Sequence, residues 1–299
     1  MSRGDYKINR RTLLVRSAQA ATVAVAGAAW TPLLAAPQSR RFKIGACEWM
    51  LGKPCDPASL AVAKEIGLDG VQVDMGTVAN NMHLGRPRIQ KAYLEASRRT
   101  GVEIVSLAEA AFWDAPLCTD PRAAKWLDES IDICKALGVT ITMPACFELD
   151  MNDSAGVKHF VAVLKKVAAK AEKQGVTIGL ENWLSADDHR RLLDCIGSPA
   201  VKVYYDVGNS TDKGRNVLKE IRALGKLICE FHFKDGRYLL GQGRIDFKQV
   251  RKALDDIHYS GWLNLEAAAP NGIVADYKTQ LKFLRGLFPA ITESKRASN

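Results

Sequence analysis

Three carboxylates and one imidazole stand at or near the ends of four successive apolar runs in the C-terminal half of the chain. The runs read Ile178-Gly179-Leu180-Glu181-Asn182-Trp183, Val203-Tyr204-Tyr205-Asp206, Glu230-Phe231-His232-Phe233-Lys234-Asp235 and Leu263-Asn264-Leu265-Glu266. Side chains alternate across an extended strand, so where Leu180 and Leu265 face one way, Glu181 and Glu266 face the other. By the same parity His232 and Lys234 share the face opposite Phe231 and Phe233. Glu181, Asp206, His232 and Glu266 are therefore expected to converge. Three carboxylates gathered in a low-dielectric pocket repel one another and hold their protons unless a cation keeps them ionised. One nitrogen with three carboxylate oxygens suits a divalent ion, Mn²⁺ first and then Mg²⁺, Co²⁺ or Zn²⁺, and leaves coordination positions for substrate oxygens. Taken singly, a strand-end carboxylate is more often a cap or an ion-pair partner; the conjunction on four runs is what points to a metal.

The elements that must hold these groups are visible as a repeat. Runs rich in Val and Ile cover Phe42 to Cys47, Gly70 to Asp74, Val102 to Leu107, Val139 to Met143, Val176 to Glu181, Val201 to Asp206, Ile228 to Phe233 and Trp262 to Glu266. Between them lie segments of helical periodicity, notably Pro121 to Leu137 and Ser154 to Gln174, the latter with Val157, Phe160, Val161, Leu164, Val167 and Ala168 on one face. Gly67, Gly101, Gly138, Gly175 and Gly261 stand where a left-handed residue would close a helix ahead of the next strand. Alternating strand and helix patterns of this number predict an α/β fold, a (β/α)₈ TIM barrel in a single domain over residues 37–299. In such a barrel the strands' C-terminal ends form the mouth in which active sites are built.

The order Glu181, Asp206, His232, Glu266 is accompanied by His232-Phe233-Lys234-Asp235 and by Gly241-Gln242-Gly243-Arg244-Ile245-Asp246-Phe247 ahead of Gly261-Trp262. In this the chain resembles the xylose-isomerase-like sugar isomerase and epimerase family, over essentially everything after residue 36 and most sharply from Val176 to Glu266. The resemblance implies that Glu181, Asp206, His232 and Glu266 ligate one divalent metal. It also implies, from the ketose 3-epimerases of that family, that Glu181 and Glu266 act as paired acid and base on opposite faces of a sugar. That chemistry is an enolisation: one carboxylate removes a carbon-bound proton, an enediolate forms, and the other carboxylate returns a proton.

The surroundings depart from the ketose epimerases. Asn209 stands where they carry a His, Asp187 where they carry a Glu, and Tyr238, with Arg237 beside it, where they carry an Arg. Substrate contacts are expected from Asp187, Asn209, Arg237, Lys234 and Arg244, from His83 in the loop after the second run, and from the indoles of Trp113 and Trp183, with Trp49 a weaker candidate. The expected function is a metal-dependent isomerase or epimerase of an unphosphorylated sugar or sugar derivative. The alternatives are a lyase or dehydratase of an oxidised sugar or cyclitol using the same metal, and a non-catalytic exported sugar-binding protein. The related apurinic endonucleases use a three-zinc cluster rich in histidine; this chain has five histidines, three of which (His159, His189, His258) fall in helical segments, so a nucleic-acid partner is not expected.

The first 36 residues differ from the rest. A basic stretch with Asn9-Arg10-Arg11-Thr12-Leu13-Leu14-Val15 runs into an Ala-rich segment from Ser17 to Ala36, the pattern of a twin-arginine signal peptide over residues 1–36. It predicts recognition by the twin-arginine export machinery and a periplasmic location, or a membrane-tethered one if the signal stays uncleaved. Five basic residues and one acid lie in this segment, so four of the nine net positive charges belong to it, and the remainder form no dense basic block. Seven cysteines, an odd number with no C-x-x-C pair, read as free thiols, which suits a chain folded in a reducing cytoplasm before export. Homo-oligomerisation is left open.

Overall fold

The computed structural model describes residues 42–289. The twin-arginine signal peptide expected over residues 1–36 lies outside the described residues. Eight parallel strands close on themselves in sequence order: β1 Lys43–Cys47, β2 Gly70–Asp74, β3 Glu103–Glu109, β4 Ile141–Pro144, β5 Thr177–Leu180, β6 Val201–Asp206, β7 Ile228–Phe233 and β8 Trp262–Leu265, with β8 pairing back onto β1. Around them lie α1 Ser59–Ile66, α2 Pro87–Thr100, α3 Pro121–Leu137, α4 Ser154–Gln174, α5 Ala186–Ile196, α6 Val207–Asp212, α7 Val217–Leu224, α8 Phe247–Asp256 and α9 Ile273–Leu287. This is the (β/α)₈ barrel that the repeat predicts. Among the described residues, no helix is long and apolar enough to cross a membrane. All seven cysteines are unpaired.

The helices start and stop where local chemistry demands. Asp120, Asp153, Ser185 and Asp246 accept the free N–H groups of the first turns of α3, α4, α5 and α8. Four of the five predicted glycine caps adopt the left-handed conformation, at Gly67, Gly101, Gly138 and Gly175. Gly261 does not. The left-handed position after α8 is taken by His258, at φ 59°, and position 261 is glycine because a Cβ there would press on the Tyr259 hydroxyl.

The outward strand side chains Ile44, Val71, Val73, Leu107, Ile178, Phe231, Phe233 and Leu263 are buried against the helices in one core. The barrel axis is different. Gln72, Ser106, Tyr204, Glu230 and Asn264 point inward and are fully buried, where branched aliphatic residues usually fill the layers. Tyr204 Oη receives Gln72 Nε2 at 3.1 Å and Asn264 Nδ2 at 2.8 Å, and Gln72 Nε2 also reaches Ser106 Oγ at 3.1 Å. This polar layer is the floor of the mouth above it.

Glu109, at the end of β3, accepts the Thr142 hydroxyl at 2.6 Å through Oε1, while its Oε2 is buried with no partner. Burial pushes its carboxyl up to about 8. The folded chain therefore keeps a proton that the unfolded chain releases near its ordinary value of 4.5, and stability is lost as pH rises from the lower value through the higher one. Glu109→Gln removes that ionisation. The variant is expected to melt several degrees above the parent at pH 8.5, at roughly 2–4 °C per kcal/mol for a domain of this order, with the gap narrowing toward pH 5. Thermal scans across that range check it; parallel curves for the two proteins would show that Glu109 ionises freely.

Candidate active site

The four predicted ligands meet. One ligand atom from each of Glu181, Asp206, His232 and Glu266 lies within 4.8 Å of all the others. Asp206 and His232 are direct register partners on β6 and β7. Glu181 and Glu266 stand one residue beyond the ends of β5 and β8, yet their backbones stay tied to the sheet: Glu181 N–H donates to Pro144 O at 3.2 Å and Glu266 N–H to Phe233 O at 3.1 Å. The strand alternation is thereby extended by one residue, which is why the parity argument holds for both.

Each ligand is oriented by a specific partner. Asp206 caps α6, its Oδ1 accepting the N–H groups of Gly208 at 2.7 Å and Asn209 at 2.9 Å. Its Oδ2 is buried, and the Lys234 ammonium lies 2.7 Å away as its ion-pair partner. Lys234 also donates to Glu266 Oε2 at 2.7 Å, and Trp49 Nε1–H reaches Glu266 Oε1 at 3.2 Å. Gly208 permits this arrangement, since a Cβ there would collide with Lys234 Cγ. On the other side, Asn209 Nδ2 approaches Glu181 Oε1 at 3.4 Å.

His232 decides what the cluster is for. Its Nε2 lies 2.8 Å from Gln72 Oε1 and 3.3 Å from Cys47 Sγ; with the Gln72 amide nitrogen turned to the Ser106 and Tyr204 hydroxyls, the assignment that matches the amide oxygen is a proton on Nε2. Nδ1 is thereby turned onto Glu181 Oε1 at 3.1 Å and Glu266 Oε2 at 3.6 Å. A nitrogen lone pair aimed at two carboxylates requires a cation between them, either a proton or a metal ion. The donor set, one imidazole nitrogen and three carboxylates, fits a divalent ion. Burial opposes a charge on His232, yet Cys47, Glu181 and Glu266 hold its pKa well above the ordinary value. The Cys47 thiol is itself pushed up to about 12 by burial, so at neutral pH it is uncharged and the two carboxylates provide the pull. The carboxylates themselves do not all move the way the sequence suggests. Burial raises Asp206 to about 7 against the opposing pull of Lys234, whereas for Glu266 burial is outweighed by His232 and Lys234 and the group is held below its usual value.

Gln72 is the positioning residue of this centre. Gln72→Leu leaves the His232 Nε2–H without its acceptor and is expected to weaken Mn²⁺ binding by about 10- to 100-fold, as read by calorimetric titration. Unchanged affinity would show that the ring needs no such hold.

Above the cluster opens a cavity of about 510 Å³ lined by Trp49, Cys55, Asp74, Thr77, Trp113, Phe147, Trp183, Asn209, Lys234 and the two glutamates, among others. Trp113, Phe147 and Trp183 pack against each other at centroid distances of 5.0–5.8 Å and form its aromatic rim, with Trp113 55% and Trp183 37% exposed. Of the expected substrate contacts, Trp113, Trp183, Asn209 and Lys234 line this cavity, and so does Trp49. The others stand elsewhere. Asp187 is exposed in the first turn of α5; Arg237 stacks over the Tyr238 ring and donates to its hydroxyl; Arg244 forms an exposed ion pair with Asp212. His83 is neither a cavity residue nor a solvated one: it is buried with its ring edge against Tyr93, and burial lowers its pKa. His159 and His189 lie on α4 and α5, and no histidine lines the cavity. Gln72, Asp74 and Phe147 were not among the expected site residues. For the first two a signal existed: between the outward Val71 and Val73, the parity used for β7 turns Gln72 and Asp74 inward.

Comparison with known proteins agrees with this geometry. The family model described as xylose isomerase-like TIM barrel matches residues 60–287. The chain belongs to that family. Among its relatives is a 2-epi-5-epi-valiolone 7-phosphate 2-epimerase of an Actinoplanes species, 26% identical over 223 residues, covering 71% of this chain and 82% of the relative. Another is a putative L-ribulose-5-phosphate 3-epimerase of Escherichia coli, 24% identical over 254 residues, covering 76% of this chain and 89% of the relative. Among solved structures, the D-psicose 3-epimerase of Clostridium cellulolyticum with D-tagatose superposes with a TM-score of 0.71 at 17% identity, covering 82% of this chain and 99% of that one. At that identity the likeness speaks for the shared barrel.

Proposed function

We propose that this family member is a metal-dependent isomerase or epimerase acting, through an enediolate, on an unphosphorylated sugar or sugar derivative. The observation that carries the reading is the convergence of Glu181 and Glu266, from opposite sides of His232, on a cavity wide enough for a sugar. The names of the relatives, both sugar or cyclitol phosphate epimerases, support the reaction class. The cavity argues for a different substrate charge. Among the described lining residues only Lys234 is basic, and it is committed to Asp206 and Glu266, so a phosphate inside the cavity would find no uncommitted cation among them; Lys213 lies at the rim, its ammonium over the Trp183 ring.

A divalent ion held by Glu181, Asp206, His232 and Glu266, for which Mn²⁺ is the first candidate, would supply Lewis-acid polarisation of the sugar oxygens. The chain's own groups do the rest. Glu266, kept ionised by Lys234 and His232, is the base placed to take a carbon-bound proton. Glu181, approached by Asn209, is the partner that returns a proton on the other face. Trp49 and Lys234 hold Glu266 in one orientation, and the aromatic rim packs against the sugar's C–H surface and keeps bulk water out. The twin-arginine reading adds that this chemistry takes place outside the cytoplasm; Arg10→Lys with Arg11→Lys would then retain the protein inside the cell.

The test is an NMR assay of Mn²⁺-loaded protein in D₂O against a panel of ketoses and their derivatives. Deuterium incorporation at a carbon beside the carbonyl, with an epimer or isomer, is expected. A dehydrated or cleaved product would transfer the same site to the lyase reading, and no exchange with any sugar would overturn enolisation altogether.

A further inference from the structure

We propose that Asp74 is a specificity-determining residue, which receives a hydroxyl or amino group at the end of the substrate away from the metal ligands and excludes phosphorylated and carboxylated sugars. The inference rests on the sugar-enolising reading above and narrows its substrate class.

Position comes first. The four ligands enter from β5 to β8, whereas Asp74 closes β2, which faces β6 across an eight-stranded barrel closed in sequence order. Asp74 nevertheless lines the same cavity. A sugar with its carbonyl end at the ligands has its other end toward this wall.

The carboxylate is held ready. Its Oδ1 takes the Gly76 N–H at 2.7 Å, and the backbone of Ala110 provides a second hydrogen bond. A carboxylate has about four acceptor positions, so capacity remains for a ligand. Position 76 has to be glycine, because its φ of 134° and the nearby His83 and Met82 backbone leave no room for a side chain. Beneath, the fully buried Glu48 accepts the backbone N–H groups of Asp74 at 3.0 Å and Cys55 at 2.9 Å, and Tyr93 donates to it at 2.7 Å. Two segments of the cavity wall are thus pinned to one buried group, which fixes the carboxylate against the space that it faces.

Charge then decides what fits. Among the described residues, the remote wall consists of Pro54, Cys55, Asp74, Thr77 and Ala110 and contains no cation. A phosphate or carboxylate placed there meets a like charge with nothing to neutralise it once Asp74 is ionised, so the exclusion strengthens as pH rises above neutral. A hydroxyl does not: burial pushes the Asp74 carboxyl up to about 7, and a hydroxyl bonds to either form. An ammonium is favoured by the ionised form.

The experiment compares D-fructose and D-allulose with their 6-phosphates on Mn²⁺-loaded wild-type protein and on Asp74→Asn, reading both calorimetric Kd and solvent exchange. Wild type is expected to prefer the parent sugars by at least about tenfold. Asp74→Asn is expected to raise their KM by about 10- to 100-fold with kcat within roughly threefold, and to shrink the discrimination. Exchange that proceeds equally well with the phosphates, or a discrimination ratio unmoved by Asp74→Asn, overturns the proposal while leaving enolisation standing. A purely structural Asp74 would lower stability and leave that ratio alone. Preferential binding of the parent sugars without exchange overturns enolisation and supports Asp74; binding of none of the sugars overturns both. The wild-type comparison needs no variant, so a variant that fails to fold does not protect the idea.

Discussion

Glu266→Gln and Glu181→Gln are each expected to lower formation of the epimer or isomer by about 10²- to 10⁴-fold, the range that a positioned acid or base contributes, while the remaining glutamate still exchanges the proton on its own face with solvent. Glutamine keeps the shape and one ligating oxygen, so the loss reports the proton rather than the cavity. Glu266→Gln should also disturb Lys234, whose ammonium bonds Glu266 Oε2 and ion-pairs with Asp206. Because both glutamates are placed as metal ligands as well, rates are compared at saturating Mn²⁺, and the metal affinity of each variant is measured separately. Two groups that act on one proton path do not contribute additively, so the double variant should be little slower than the worse single one. Epimer or isomer formation within about tenfold of the parent in either single variant, with the metal bound, would remove that residue from the chemistry.

Chelation is expected to abolish turnover and to lower the melting temperature in the same titration. A cation that binds only the folded chain stabilises it by about 4 kcal/mol at a thousandfold excess over Kd, and this centre has much to gain. Asp206 Oδ2 is buried with the Lys234 ammonium 2.7 Å away, and His232 Nδ1 faces two carboxylates, so a metal takes the place of the proton held there. The dependence on pH has a definite sign. The carboxylates hold the proton on His232 well above its ordinary value, and burial does the same for the proton on Asp206. Metal uptake must expel those protons, so affinity falls as the pH is lowered and rises as the pH is raised. Calorimetry in buffers of different ionisation enthalpy counts the protons released. Turnover that survives exhaustive chelation, or binding indifferent to pH between 5 and 8, would contradict the ligand assignment.

The barrel was legible because its determinants are local. Runs such as Val201 to Asp206 name strands by themselves, and Gly138 and Gly175 mark helix ends by a conformation that few other residues accept. The ligands were legible because parity along one strand settles direction, and Leu180, Phe231 and Leu265 left only one face for Glu181, His232 and Glu266. Gly261 misled because a glycine can be required by its neighbour as well as by its φ, and only the packing of Tyr259 separates the two. The substrate contacts transferred by offset fared unevenly. Asn209 reaches the cavity because it follows Asp206 inside a capped turn. Asp187, Arg237 and Arg244 lie on loops or helix starts whose direction is set by partners such as Tyr238 and Asp212, which no spacing rule reveals. Phe147 arises likewise from a loop that becomes part of the site only when Trp113 and Trp183 close on it.

The central claim is that four side chains cage one cation at the mouth of this barrel. Anomalous diffraction from crystals of the Mn²⁺-loaded protein, collected at the manganese edge, tests it directly. One peak per chain is expected, roughly 2.0–2.3 Å from His232 Nδ1 and from an oxygen of each of Glu181, Asp206 and Glu266, with Gln72 still holding His232 Nε2. A stoichiometric peak elsewhere on the chain, or clear density at the four residues with Lys234 filling the centre and no anomalous signal, would contradict it.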